Sequence, residues 1–179
     1  MKKSISVLIL ISLALSLVAC SGSGTDIPSG MQLASNGDVA FEFFVPGGWI
    51  TTEQNGIFGA YYSSSDKSSV SVSSLYPGDG LLSISDYWTT LEESYSETFK
   101  NFVLVEEPDN GESNIVFGGK AAFKYIFTAD VDGVSYKFMQ ILTLRDSLFY
   151  TQLYTAAAEN YDLHLEDINK TVTEFRFKL

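Results

Sequence analysis

A single histidine and a few acidic clusters are the residues that could bind a metal ion or move a proton. His164 lies in YDLHLED, and on a helix Asp167 would be within its reach. Asp130 and Asp132 lie in ADVDG. These four are weak metal candidates, because a zinc site needs more histidines or cysteines and a calcium loop spaces its ligands regularly. The favoured interpretations are a surface or partly packed histidine and an Asp-Gly hairpin turn, so no metal or cofactor is predicted.

Catalytic groups are sparse. A Ser-His-Asp triad would have to use His164, the only histidine, and no nucleophile motif accompanies any serine. A pair of catalytic carboxylates is defined by its separation in space, which the sequence does not give. We therefore predict that the chain is not an enzyme, and an enzymatic function ranks last among the hypotheses.

Cys20 is the residue whose chemical modification the sequence predicts most clearly. It is the only cysteine, and it follows two lysines, the apolar run ISVLILISLALSLV and the residues LVA. LVAC resembles the lipobox of bacterial lipoproteins, in which cleavage precedes the cysteine and diacylglycerol is attached to its sulfur; the alternative is an ordinary secretory signal. We predict a signal peptide (1–19), a lipidated Cys20 with a flexible tether (20–30) and a single domain (31–179), anchored on the extracytoplasmic face of a membrane.

Charge excludes one class of function. The chain has 22 acidic and 11 basic side chains, a formal net charge of −11. Loss of Lys2 and Lys3 with a signal peptide would make the remainder more negative still. Such a surface repels nucleic acid and favours cations or basic partners, although solubility is the simpler explanation. Nucleic-acid binding is therefore excluded as a main activity.

Aromatic residues are the candidates for both core and binding surface. VAFEFFVP, at 39–46, reads as a core strand, and the segment FEFFVPGGWI (41–50) brings it to an end with Pro46 and two glycines. Tyrosine is frequent at protein interfaces. The predicted interaction surface consists of Trp49, at the edge of the sheet, and three exposed tyrosines, Tyr61, Tyr62 and Tyr154.

These residues are positioned by predicted strands and two predicted helices. The segments 56–63, 68–76, 102–107 and 113–119 read as strands, and 120–157 reads as three long antiparallel strands that turn at Asp132–Gly133 and at RDS. In 83–101 an apolar stripe of helical spacing follows a capping box at Ser83 and Asp86. A second helix is predicted within AAENYDLHLEDINKTVTEF, followed by a short closing strand. The fold class is α+β, an antiparallel sheet flanked by helices.

Four segments together resemble the PsbP-like family: FEFFVPGGW, GGKAAFKYIFTADVDG, YTQLYTAAAENYD and INKTVTEFRF. The resemblance covers about 39–179 and implies a PsbP-like α/β/α sandwich. That family includes photosystem-associated lumenal proteins and bacterial lipoproteins. No position here matches its metal or docking sites residue by residue.

The leading functional hypothesis is a non-enzymatic, membrane-anchored extracytoplasmic lipoprotein that binds another protein or assists an envelope assembly. The alternative is a lipoprotein that binds a small ligand or a divalent cation through an aromatic-lined pocket or an acidic loop.

Overall fold

The structure, a computed structural model, describes residues 25–78 and 83–178. These residues form an antiparallel sheet with α-helices on its faces. The strands are β1 (Met31–Leu33), β2 (Phe41–Glu42), β3 (Phe44–Pro46), β4 (Ile50–Gln54), β5 (Ile57–Tyr61), β6 (Ser69–Leu75), β7 (Lys100–Glu106), β8 (Ile115–Phe117), β9 (Lys120–Val131), β10 (Val134–Arg145), β11 (Leu148–Ala157) and β12 (Arg176–Phe177). The helices are α1 (Ile84–Thr98) and α2 (Leu165–Glu174).

One eight-stranded antiparallel sheet is the middle layer. Its strands are ordered β4-β5-β6-β11-β10-β9-β7, and β8 pairs with the first residues of β9. The three long strands predicted from the sequence, β9 to β11, lie side by side near its centre. The hairpin of β4 and β5 forms one edge, and the sequence analysis did not predict β4.

The two central hairpins turn where the sequence predicts. Asp132 and Gly133 have φ angles of 51° and 83°, and Asp146 and Ser147 have φ angles of 51° and 63°. Positive φ at both central residues matches the twist of the flanking strands. Glycine adopts this conformation freely, whereas Ser147 adopts it despite its Cβ.

Helix α1 covers one face of the sheet. Its predicted cap is confirmed, since Ser83 Oγ accepts a hydrogen bond from the Asp86 N–H at 3.1 Å. The predicted stripe faces the sheet: Ile84 and Trp88 are buried, and the Trp88 ring lies parallel to that of Tyr125 with centroids 3.7 Å apart. We call this side the α1 face.

Helix α2, strand β12 and the FEFF segment cover the other side, the α2 face. Phe41 and Phe43 are buried there and pack in one apolar cluster with Ile168 and Val172 of α2. The apolar residues Phe41, Phe43, Phe44 and Val45 of this segment are therefore part of the core and do not line an open binding cavity. The fold has three layers, α1, the sheet and α2, and the predicted α+β class is confirmed.

The strand predicted over 39–46 is interrupted in the structure. β2 pairs with β12 and β3 pairs with β1, so the segment belongs to two small sheets. The interruption falls at Phe43, whose N–H donates to Ser35 Oγ at 3.0 Å, while Ser35 Oγ donates to the Phe41 carbonyl at 3.2 Å. One serine hydroxyl thus replaces a neighbouring strand at this point.

Residues 25–30, which the sequence analysis assigned to the flexible tether, contact the domain. Thr25 Oγ1 donates to Glu42 Oε1 at 2.9 Å, and Arg176 Nη1 donates to the Asp26 carbonyl at 2.9 Å. The Gly47 N–H donates to the Gly30 carbonyl at 2.9 Å. The signal peptide and Cys20 lie outside the described residues. Within 25–78 and 83–178, no helix is both long enough and apolar enough to cross a membrane.

Candidate functional site

His164 lies directly before α2 and pairs with a residue from a distant loop. Its Nε2 is 2.9 Å from Oδ2 of Asp66, in the loop between β5 and β6. The structure places His164 at the N-terminal boundary of α2, after a short 3₁₀ turn, rather than inside one continuous helix as predicted. Its partner is therefore Asp66 and not Asp167, which lies 3.6 Å from Lys170 Nζ.

The loop of residues 62–68 holds Asp66 in place through its own hydrogen bonds. Ser68 donates to Asp66 Oδ1 from its backbone N–H at 2.9 Å and from Oγ at 2.7 Å. Partial burial opposes ionisation of Asp66, but the hydrogen bonds from Ser68 and His164 outweigh it and lower the pKa of this carboxyl to about 2. The carboxylate is thus the stable form across the physiological range.

Two aromatic rings enclose His164. The Tyr62 ring lies 4.4 Å from the imidazole, and the Trp49 indole lies 5.5 Å from it, nearly perpendicular. Trp49 and Tyr62 are themselves 5.9 Å apart. We call these four residues, Trp49, Tyr62, Asp66 and His164, the His164 cluster. Trp49 and His164 are buried and Asp66 is half-buried, whereas Tyr62 is 46% exposed.

The geometry of the cluster differs from that of a hydrolytic triad. In a hydrolytic triad the serine bonds to the histidine, which in turn bonds to the aspartate. Here Ser68 and His164 both bond to Asp66, so the carboxylate is the centre and the serine is not activated. The imidazole uses Nε2 for Asp66, and its faces pack against rings. The cluster can hold an exposed aromatic ring in one position.

The metal candidates do not form a site with one another. Asp130 accepts a hydrogen bond from Asn101 Nδ2 at 2.6 Å, and Asp132 is a turn residue with positive φ. His164 and Asp167 contact different residues, Asp66 and Lys170 respectively. Within 25–78 and 83–178, no group of three or more histidine, cysteine, aspartate or glutamate side chains is placed to hold an ion.

Two of the four predicted interaction residues are buried, which corrects their predicted place at the surface. Tyr154 is fully buried and its hydroxyl donates to the Tyr161 carbonyl at 2.8 Å. Burial raises the pKa of Tyr154. Trp49 is 5% exposed because it packs beneath Tyr62. Tyr61 is half-buried and Tyr62 is exposed, so these two can still contribute to a binding surface.

Asp66 was missed by the sequence analysis, and so was the role of the loop around it. SSSDKSS reads as an ordinary polar turn, and no spacing rule connects it to a histidine 98 positions later. The one usable signal was indirect: a lone histidine that is buried needs a hydrogen-bonding partner, and an aspartate in a serine-rich turn is a suitable one.

No protein-family model matches the chain, and no curated protein matches it in sequence.

Several solved structures match in fold. CyanoP, the cyanobacterial PsbP of Synechocystis, is 17% identical with a TM-score of 0.59, over 90% of this chain and 98% of that one. The Ran-binding protein Mog1p of Saccharomyces cerevisiae is 10% identical with a TM-score of 0.57, over 82% and 95%. LpqN of Mycobacterium tuberculosis, described as involved in cell envelope biogenesis, is 12% identical with a TM-score of 0.56, over 83% and 91%. At these identities the likeness concerns the fold alone, and the chain has a PsbP-like fold of the α+β class.

Proposed function

We propose that the chain is an extracytoplasmic lipoprotein, anchored to a membrane through Cys20, whose domain binds a protein partner and catalyses no reaction. The observation that carries the binding function is the exposed Tyr62 ring, held against His164 at 4.4 Å and Trp49 at 5.9 Å. The lipobox LVAC supports the anchor. None of the three solved structures reported above is described as an enzyme, and one is described as a binding protein.

A pre-positioned tyrosine is an efficient binding residue. Ordering a free side chain at an interface costs about 0.5–1.5 kcal/mol, and a ring that is already held avoids much of that cost. Tyrosine also combines a large apolar area with a hydroxyl, which is why it is frequent among residues that dominate binding energy. In this chain the Asp66–His164 pair supplies the support beneath the ring.

The charge of the chain limits the partner. A domain from a chain with a net charge of −11 attracts a basic or neutral surface and repels an acidic one. We therefore expect the association rate to fall as salt is added. A divalent-cation function lacks support in the geometry, since the candidate ligands lie apart in the described ranges.

The test is photocrosslinking in intact cells from a site next to the cluster. Leu163 is 73% exposed and precedes His164, so a photoreactive residue at that position samples whatever contacts Tyr62. We expect one recurrent protein adduct that disappears when Tyr62→Ala is added. The matched control places the same photoreactive residue at Val116, 63% exposed on β8 near the far edge of the sheet. Identical adducts from both positions, or an adduct that persists after Tyr62→Ala, would count against the proposal.

A further inference from the structure

A largely apolar groove lies on the α1 face, on the opposite side of the sheet from the His164 cluster. Its volume is about 370 Å³, within the range of ligand sites, and it is lined by Lys67, Phe99, Val131, Tyr136, Phe138 and Thr155. Phe138 forms the floor and is buried. The Phe99 ring lies 6.0 Å from that of Phe138, nearly parallel to it, and the Tyr136 ring lies 6.2 Å from it.

The groove runs across the strands. Val131 belongs to β9, Tyr136 and Phe138 to β10, and Thr155 to β11, while Lys67 directly precedes β6. Three strand spacings separate β9 from β6, which gives a length of roughly 14 Å. An extended apolar body fits this shape better than a compact polar one.

The two ends of the groove differ in charge. At one end is the exposed ammonium of Lys67, 5.8 Å from the Tyr61 ring centroid, and among the described residues no carboxylate lies within 4.0 Å of it. At the other end an adjoining cleft of about 480 Å³ shares Phe99 and Val131. It is lined by Asp130, Asp132 and one lysine, Lys100, which leaves one negative charge in excess. A negative group is therefore attracted to the Lys67 end and repelled from the opposite one.

We propose that this groove binds an amphipathic monocarboxylate of the acyl type, with its chain over Phe138 and its carboxylate on Lys67. The charge at Lys67 selects an acid over a neutral lipid, and the excess negative charge of the adjoining cleft disfavours the reversed direction of the chain. The proposal is independent of the protein partnership above, since it uses the other face of the sheet and none of the residues of the His164 cluster.

The test uses the full-length chain in membranes of expressing cells and a decanoic acid that carries a photoreactive diazirine on its chain. We expect the label on peptides from β10 and β11, with competition by decanoate but not by 1-decanol. Lys67→Gln should reduce labelling by roughly three- to tenfold, because at an exposed site an interaction with a charged group contributes no more than an ordinary hydrogen bond. The matched control is Lys120→Gln, an exposed lysine at the start of β9, which should leave labelling unchanged.

A second variant tests the apolar part without touching the charge. Thr155 lines the groove, and its position in a strand tolerates an aromatic residue. The ring of Thr155→Phe would occupy part of the groove. This variant should abolish labelling while the chain stays protease-resistant. Equal labelling of wild type and Lys67→Gln would overturn the proposal. So would equal competition by 1-decanol, or label spread evenly over surface peptides, which would mean that the probe had only partitioned into the membrane.

Discussion

The imidazole of His164 and the carboxylate of Asp66 are 2.9 Å apart, although 98 positions separate the two residues in the chain. This contact connects the loop between β5 and β6 to the start of α2. It also fixes the imidazole on which the exposed Tyr62 ring lies. One hydrogen-bonded pair of side chains therefore supports both the packing of α2 and the proposed binding surface.

Replacing Asp66 should destabilise the domain. Asp66→Asn keeps the shape of the side chain but removes its negative charge. In the wild type that carboxylate faces His164 and accepts two hydrogen bonds from Ser68. We expect the free energy of unfolding to fall by about 1–3 kcal/mol, measured by urea denaturation. Asp109→Asn is the control, because that exposed carboxylate caps no helix. Equal stability of the two variants would contradict the role of the pair.

The Asp66 contribution should depend on pH. Its pKa is lowered in the folded state to about 2 from an ordinary value of 3.8, so ionised Asp66 stabilises the fold above about pH 4. That contribution is lost as the pH falls through about 2. We expect the difference in unfolding free energy between wild type and Asp66→Asn to shrink as the pH falls below 4. A difference that stayed unchanged down to pH 2 would contradict this assignment.

Introducing a glycine into one central hairpin turn and removing the glycine from the other should change the stability of the domain in opposite directions. Ser147 has a φ of 63° with a Cβ in place, so Ser147→Gly should stabilise the domain by about 1 kcal/mol. Gly133 has a φ of 83°, so Gly133→Ala should destabilise it by a similar amount. Thermal unfolding should show shifts of about 2–4 °C of opposite sign. Shifts of the same sign would mean that local backbone strain does not control these turns.

The stack of Trp88 on Tyr125 should be the main contact that holds α1 to the sheet. Trp88→Ala removes a buried ring 3.7 Å from its partner and should cost about 3–5 kcal/mol. Trp88→Phe keeps an aromatic ring and removes an indole N–H that has no hydrogen-bond partner among the described residues, so it should cost clearly less. Near-ultraviolet circular dichroism and urea denaturation measure both effects. Equal losses for the two variants would show that the ring stack contributes little.

Cys20 should determine where the protein is found. Cys20→Ser removes the sulfur to which lipid would be attached, so incorporation of labelled palmitate should stop and the protein should leave the membrane fraction. Ser23→Ala, three positions later, is the control and should keep both properties. Palmitate labelling that survived in Cys20→Ser would place the lipid elsewhere.

The parts of the fold that the sequence predicted correctly depend on local chemistry. The Asp132–Gly133 turn, the cap at Ser83 and the stripe of α1 follow from the conformational preferences of a few adjacent residues. The hairpin at Asn55–Gly56 carried the same kind of signal but was missed, because the polar strand before it lacks apolar alternation.

The candidate site could not be predicted in the same way because it depends on distant contacts. Strand alternation places Tyr154 on one face of β11, but only the packing of the layers shows that this face is covered. The pairing of Asp66 with His164 needs the β5–β6 loop and α2 to meet, and no local preference specifies that meeting. The groove likewise combines residues from five separate segments.

If Cys20 carries the proposed lipid, the contacts of Thr25 and Asp26 with the body of the domain limit its reach from the membrane. Thr25 comes five positions after Cys20, and a fully extended chain covers at most about 3.6 Å per residue, so a lipid-anchored domain would lie within roughly 18 Å of the bilayer surface. Confinement to that thin layer raises the effective concentration of any partner anchored in the same membrane. A weak contact at Tyr62 would then suffice for a membrane-bound partner, whereas a freely diffusing one would have to bind far more tightly.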